Sequence, residues 1–202
     1  MQSIENTIIK RIRGKGRGRA YTSKDFLDLG TRASVDKSLS RLAAKEIIRR
    51  LKPGLYDYPK INDKLGGVLS PVIEEVAKAI ARKNNIRILI SGALAVNKLG
   101  LSTQVPAKIV FLTDGRDRKL KIYNQSLIFR HASPKNMAIC GKKSELILQA
   151  IRYLGKQSVD SDVIYRLNKI LTDKDKKHLR IDSRQAPEWV GSVVNKIIGE
   201  NK

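Results

Sequence analysis

Cysteine occurs once in this chain, at Cys140, so no intrachain disulfide can form. With only His131 and His178 beside it, the usual Cys/His zinc sets cannot be assembled. Cys140 itself reads as a small buried hydrophobe rather than a reactive thiol. Aromatics make up only 5% of the residues, few for a protein that reads RNA by stacking bases. No apolar run approaches the ~20 residues of a membrane-spanning helix. The N-terminal stretch lacks the apolar centre of a secretory signal, so a cytoplasmic, nucleoid-associated protein without membrane partners is expected. Acid is also scarce, and that shortage is the first positive clue.

Lys and Arg number 41 against 19 Asp and Glu, a net charge of +22 over 202 residues, which suits polyanionic partners. Apolar residues at 41% still suffice for real cores. The positive charge is densest at the front, where residues 1–60 hold 15 Lys/Arg and 6 Asp/Glu. The Asn62-Asp63 and Gly66-Gly67 pairs interrupt any regular period. Three segments follow: a DNA-binding head over 1–60, a linker over 61–70 and a second domain over 71–202.

In the head, Ile4, Ile8, Ile9 and Ile12 form one stripe of a helix that begins after Ser3 and ends at Gly14. Gly14 to Arg19 alternates glycine with cations and reads as a solvated loop. Thr22 or Ser23 caps a second short helix carrying Phe26, Leu27 and Leu29, with Gly30 as its left-handed end. A third helix runs from Ala33 or Ser34 to about Ala44, with Val35, Leu39 and Leu42 as its buried edge. Ile47 to Leu51 and Leu55 to Tyr58 then form a hairpin around Lys52-Pro53-Gly54, with Tyr56 in the core. Taken in order, these elements make the plan of a winged helix-turn-helix.

The second domain reads as a larger α+β unit. A helix starts at Ser70-Pro71 and stops at Asn84-Asn85, a strand covers Ile86 to Ile90, and Ser91 caps a small-residue helix from Gly92 to Leu99. Strands over Lys108 to Thr113, Lys119 to Ile122 and Ser126 to His131 suggest an antiparallel meander, the first two joined at Asp114-Gly115. Helices over Ser144 to Leu154, Asp160 to Leu171, Thr172 to Ile181 and Pro187 to Ile198 make a helical C-terminus.

The candidate DNA contacts follow from that plan. Ala33, Lys37, Ser40 and Arg41 occupy the side of the third helix away from Val35 and Leu39, with Ser34 nearby, and would face the major groove, where Arg and Lys donate to guanine edges; Arg32 just before the helix is a further candidate contact. Arg49, Arg50 and Lys52 would place the hairpin on phosphates, although strand alternation turns only one of the two arginines outward. Lys15, Arg17 and Arg19 form an arm with two open readings, one in which it enters a narrow minor groove and one in which it acts only by its charge. No cofactor is called for, because the glycine-cation loop lacks the GxxxxGK[ST] spacing of a phosphate cradle. Asp114 and Asp117 read as turn residues, the two histidines stand apart in sequence, and no enzyme is expected. An RNA-binding module, and behind it an enzyme acting on nucleic acid, are the rival readings.

Several stretches in this order carry a family resemblance: Ile4 to Gly18 (IENTIIKRIRGKGRG), Ile47 to Pro59 (IIRRLKPGLYDYP), Ser91 to Pro106 (SGALAVNKLGLSTQVP), Lys108 to Gly115 (KIVFLTDG) and Arg130 to Pro134 (RHASP). Together they resemble the AbiEi-type antitoxins, the repressor half of bacterial type IV toxin-antitoxin and abortive-infection systems. The resemblance implies a winged helix binding an inverted-repeat operator in its own promoter, with a second domain that assists cooperative binding and antitoxin action; self-association on DNA is a partner reading beside it. It also implies a nucleotidyltransferase-like toxin, opposed without a stable complex. One departure is Ala44-Lys45-Glu46, where a glycine would be expected to close the third helix.

Overall fold

Ser3 opens the first helix by accepting the Asn6 N–H on its hydroxyl at 3.2 Å, and α1 (Ile4–Gly14) then carries Glu5 in its first turn and Arg11 and Arg13 in its last, charges that oppose the helix dipole. A computed structural model describes residues 3–62, 64, 66–104, 106–139 and 141–199. The expectation for Cys140 falls outside these residues, as do Asp63 and Leu65 of the expected linker. The chain is α+β, with antiparallel strand pairing and a helical C-terminus. It divides into two compact units, residues 1–86 with 119–127, and residues 87–118 with 128–202.

In the first unit, β1 (Ala20–Tyr21) leads into a turn of 3-10 helix, Ser23–Leu29. Thr22 and Asp25 close its start as a capping box. An α-helix was expected here, but Asp25 takes the Thr22 N–H at 2.8 Å and the segment is short, conditions that favour the tighter helix. Gly30 is extended rather than left-handed, at φ 163°. A Cβ there would lie 2.8 Å from Ile4 Cδ1, so a larger residue would have the end of that side chain shift.

The next helix, α2 (Arg32–Ala44), starts at the Thr31 cap. The hairpin of β2 (Arg49–Lys52) and β3 (Leu55–Asp57) follows it, and β1 adds to β3 to give the order β1-β3-β2. Ile8, Ile12, Phe26, Val35 and Leu39 are wholly buried, and Tyr21, Leu42, Ile48 and Tyr56 complete the same core.

The end of α2 explains the missing glycine. The Glu46 N–H donates to Ala43 O at 3.1 Å and the Ile47 N–H to Leu42 O at 3.1 Å, the paired bonds that close a helix through a left-handed residue. Glu46 takes that position itself, at φ 57°. Glu46→Gly is therefore expected to stabilise the protein by roughly 0.5–1 kcal/mol, the strain relieved less the entropy glycine loses. Urea unfolding checks this, and an unchanged or lower midpoint would contradict it.

The first unit does not stop at residue 60. The expected linker contains a small ladder, β4 (Ile61–Asn62) with β5 (Gly67–Val68), and α3 (Ile73–Asn84) belongs to the same unit. This helix begins two residues later than expected, buries Ile73, Val76, Ala77 and Ile80, and ends at Asn85 in the left-handed region. Arg82 at its end donates to Asp25 Oδ1 at 2.7 Å and to Ala20 O at 2.9 Å. Those bonds are non-local, so composition alone places the boundary too early.

The second unit runs through β6 (Ile88–Ile90), α4 (Gly92–Lys98), β7 (Lys108–Thr113), β8 (Arg118–Ile122) and β9 (Gln125–His131), with residues 119–127 of the last two grouped with the first unit. The strand order is β6-β7-β9-β8, not the expected meander. Asp114 and Asp117 account for the difference. Asp114 accepts the Arg87 N–H at 2.8 Å and Asp117 the His131 N–H at 2.6 Å, so the link arches over the end of β9 instead of folding into a tight turn.

Five helices follow: α5 (Pro134–Met137), α6 (Lys142–Leu154), α7 (Ser161–Lys169), α8 (Asp173–Ser183) and α9 (Glu188–Ile198). Ile147, Leu148, Ile151, Leu167, Leu179, Val190, Val194 and Ile197 form their shared core, all wholly buried. Gly92 lets α4 lie close on α6, where a Cβ would come within 2.2 Å of Tyr153 Cβ.

Candidate nucleic-acid interface

Two edges of α2 have opposite fates. Val35, Leu39 and Leu42 are 0–1% exposed, and Ser38 beside them donates to Ser34 O at 2.8 Å. Ala33, Lys37, Ser40, Arg41 and Ala44, spaced by three, four and seven along the helix, line the exposed side. Small residues at 33, 40 and 44 leave the backbone free to approach a surface, while Lys37 and Arg41 project donors between them. Arg32 is exposed but engaged, its Nε donating to Asp36 Oδ2 at 2.9 Å. Ser34 is half-buried and shares a 2.8 Å hydrogen bond with the Thr31 hydroxyl at the helix start.

The hairpin resolves its pair of arginines. Alternation turns Arg49 inward, where Nε and Nη2 donate to the two oxygens of buried Asp57 at 2.9 and 2.6 Å. Nη1 also donates to Leu69 O at 3.0 Å, and the guanidinium lies 5.5 Å from the Tyr123 ring centre. All three nitrogens of that fork donate within the fold, so Arg49 holds the strand pair together. Arg50 is exposed, as is Lys52 beside the tip that Gly54 turns at φ 69°.

The arm from Gly14 to Arg19 is solvated in its side chains but anchored in its backbone. Gly18 is buried and its N–H donates to Tyr58 O at 2.6 Å, and the Tyr58 N–H returns a bond to Arg19 O at 3.0 Å. Arg17 donates to Pro59 O at 2.9 Å and stacks 4.4 Å over the Tyr58 ring. Lys15, Arg17 and Arg19 are all exposed, and of the three Arg17 is the one held by these contacts.

Acid is what sorts the cations. Of the six carboxylates in residues 1–60, five hold ion pairs: Glu5 with Lys45, Asp25 with Arg82, Asp28 with Arg11, Asp36 with Arg32 and Asp57 with Arg49. The hydrogen bond from Arg11 holds the Asp28 carboxyl below the usual carboxylate range. Burial works against ionisation of Asp36, but the Ser23 hydroxyl and Arg32 outweigh it and its pKa is also lowered. Among the described residues, Lys15, Arg19, Lys37, Arg41, Arg50 and Lys52 have no carboxylate partner and are all exposed. Lys10, Arg13, Arg17, Lys24 and Lys60 are likewise exposed without a carboxylate ion pair among the described residues, so the unpaired charge of the head covers α1 and the 3-10 helix as well as the outer side of α2, the hairpin and the arm.

Three of the polar residues weighed as catalytic candidates make hydrogen-bond contacts with the backbone. Asp114 and Asp117 accept backbone N–H groups, and His131 Nδ1 lies 2.9 Å from Gly115 O. His178 is exposed on α8. The sequence reading overlooked Glu145 on α6, whose carboxyl is pushed up by burial and accepts the Ile90 N–H at 2.6 Å. It also overlooked Arg152, whose half-burial only the packed fold reveals. Among the described residues no cluster of three His, Cys, Asp or Glu could hold a metal, and no helix is long and apolar enough to cross a membrane.

Residues 7–179 match a family of unknown function (DUF6088), and the chain belongs to that family. Among curated proteins, none matches it.

Proposed function

We propose that this member of the DUF6088 family binds duplex DNA through its first unit, used as a winged helix-turn-helix, and represses its own promoter. The reading has α2 in the major groove, the β2–β3 hairpin on the flanking phosphates and Lys15 and Arg19 beside them. One observation carries it: α2 leaves Lys37 and Arg41 exposed without carboxylate partners, while five of the six nearby acids are used to hold other cations in the fold. A merely soluble surface would scatter its acids among its bases. The stripe at Ala33, Lys37, Ser40, Arg41 and Ala44 also has the width and residue sizes a helix needs to enter a groove.

Within this reading, Arg41 and Lys37 read base edges, and Arg50 and Lys52 fix position on the backbone. Arg32 and Ser34 shape the start of the helix, and Arg49 acts through the fold. The role we assign in the cell is the antitoxin of a type IV toxin-antitoxin pair, opposing a nucleotidyltransferase-like toxin without a stable complex. Its support is the resemblance of the stretches at residues 4–18, 47–59, 91–106, 108–115 and 130–134 to AbiEi-type antitoxins.

Gel shifts with the native upstream DNA, a scrambled duplex and a structured RNA test the reading. Arg41→Ala is expected to weaken the native duplex by about 1–3 kcal/mol and the scrambled one far less, whereas Lys52→Ala weakens both alike. Equal losses for Arg41→Ala on both duplexes would remove base reading from α2. Tighter binding to the RNA than to either duplex would overturn the DNA reading.

A further inference from the structure

Three arginines among the described residues are half-buried: Arg11, Arg49 and Arg152. The first two face carboxylates, Asp28 and Asp57, at 2.7 and 2.6 Å. Among the described residues Arg152 on α6 has no carboxylate partner. Its one hydrogen bond is a long one, from Nη1 to Asn136 Oδ1 at 3.4 Å, and burial lowers its pKa. A guanidinium withdrawn from water without a counter-ion is costly, and the fold tolerates it only where something offsets the cost.

What lies beside it is a cavity of about 430 Å³, lined by Ser133, Lys135, Asn136, Arg152 and Gln185, with Ala186 and Pro187 closing one side. Among the described residues that line it there is no carboxylate. The wall combines a planar fork of N–H donors, an ammonium, a hydroxyl and two side-chain amides. That is the donor set of a tetrahedral oxyanion site, for Arg meets phosphate in bidentate geometry and the neutral donors fill the remaining oxygens.

We propose that this cavity is a phosphate-binding site, with Arg152 as its fork and Lys135 as its second charge. The phosphate would come either from a free phosphorylated small molecule or from a nucleic-acid backbone, and the chemistry is the same for both. The proposal stands on the second unit alone and does not depend on α2 reading DNA.

Thermal unfolding of the full chain in tens of millimolar inorganic phosphate, against chloride at equal ionic strength, tests it. Phosphate is expected to raise Tm by about 2–4 °C, the response to ligand a few-fold above its Kd in a chain of this size. Arg152→Gln abolishes the rise, while Lys174→Gln, which removes one exposed charge elsewhere on α8, keeps it. Lys135→Gln changes an exposed side chain and serves if Arg152→Gln does not fold; it is expected to cut the rise by at least half. An equal rise in the wild type and in either cavity variant would overturn the site. Binding to a non-operator duplex separates the two sources. A backbone phosphate predicts that Arg152→Gln weakens that duplex and reduces the log-log salt slope by about 0.9, and a free phosphate predicts an unchanged duplex affinity with the Tm rise still lost.

Discussion

Affinity for the promoter duplex is expected to fall about 10³-fold or more between 50 and 200 mM salt, because 6–10 neutralised phosphates release roughly 0.9 counter-ion each. The structure narrows that expectation. Residues 1–60 carry 15 cations, and if all of them met phosphate the log-log slope would approach about −13. Arg11, Arg32, Lys45 and Arg49 are already neutralised by Asp28, Asp36, Glu5 and Asp57, and Arg17 is engaged on Tyr58 and Pro59. A slope of about −5 to −9 is the result this sorting predicts. A flat response would reject duplex binding by this head, and a slope near the full complement would mean that the ion pairs open on DNA.

Asp57→Ala is expected to cost the first unit about 3–5 kcal/mol, since it leaves the Arg49 guanidinium withdrawn from water with its main partner gone. Domains of this size are stable by only about 5–15 kcal/mol, so much of the head would unfold near 37 °C and DNA binding would be lost with it. The paired replacement Arg49→Met with Asp57→Leu removes both charges and is expected to recover most of that stability. It should also bind promoter DNA almost as the wild type does. This second result separates two roles for Arg49, for a direct phosphate contact would be missed in the double variant even when it is folded. Urea unfolding followed by gel shift on the same samples checks both parts.

Periodicity carried the helices that bury one continuous stripe. The isoleucines of α1, the 35/39/42 edge of α2 and the Val190-Val194-Ile197 face of α9 are local patterns, and each helix forms within a few residues of its expected span. What was not legible depended on partners distant in the chain. Nothing near Asp114 tells that β9 inserts between β7 and β8, because that order is set by bonds to Arg87 and His131. The first unit extends to Ile86 through Arg82 reaching back to Asp25 and Ala20, a span no composition shift marks.

The candidate interface divides in the same way. Lys37, Ser40 and Arg41 could be placed on the outer side of α2 from helical geometry alone. Choosing between Arg49 and Arg50 required the strand register, which pairs Arg49 with Asp57. The Arg32–Asp36 pair was within reach of the sequence, since the two stand four apart on a helix. Arg152 gives no sequence signal at all, because an arginine on an amphipathic helix is ordinary until its surroundings prove to lack a carboxylate.

The most direct trial is lysine-reactivity footprinting by mass spectrometry, with the full chain free and saturated with its own upstream duplex. If α2 lies in the groove, Lys37 and Lys52 become several-fold less reactive on DNA while Lys174 does not change. A bound protein whose Lys37 reacts as fast as in the free state would contradict the account.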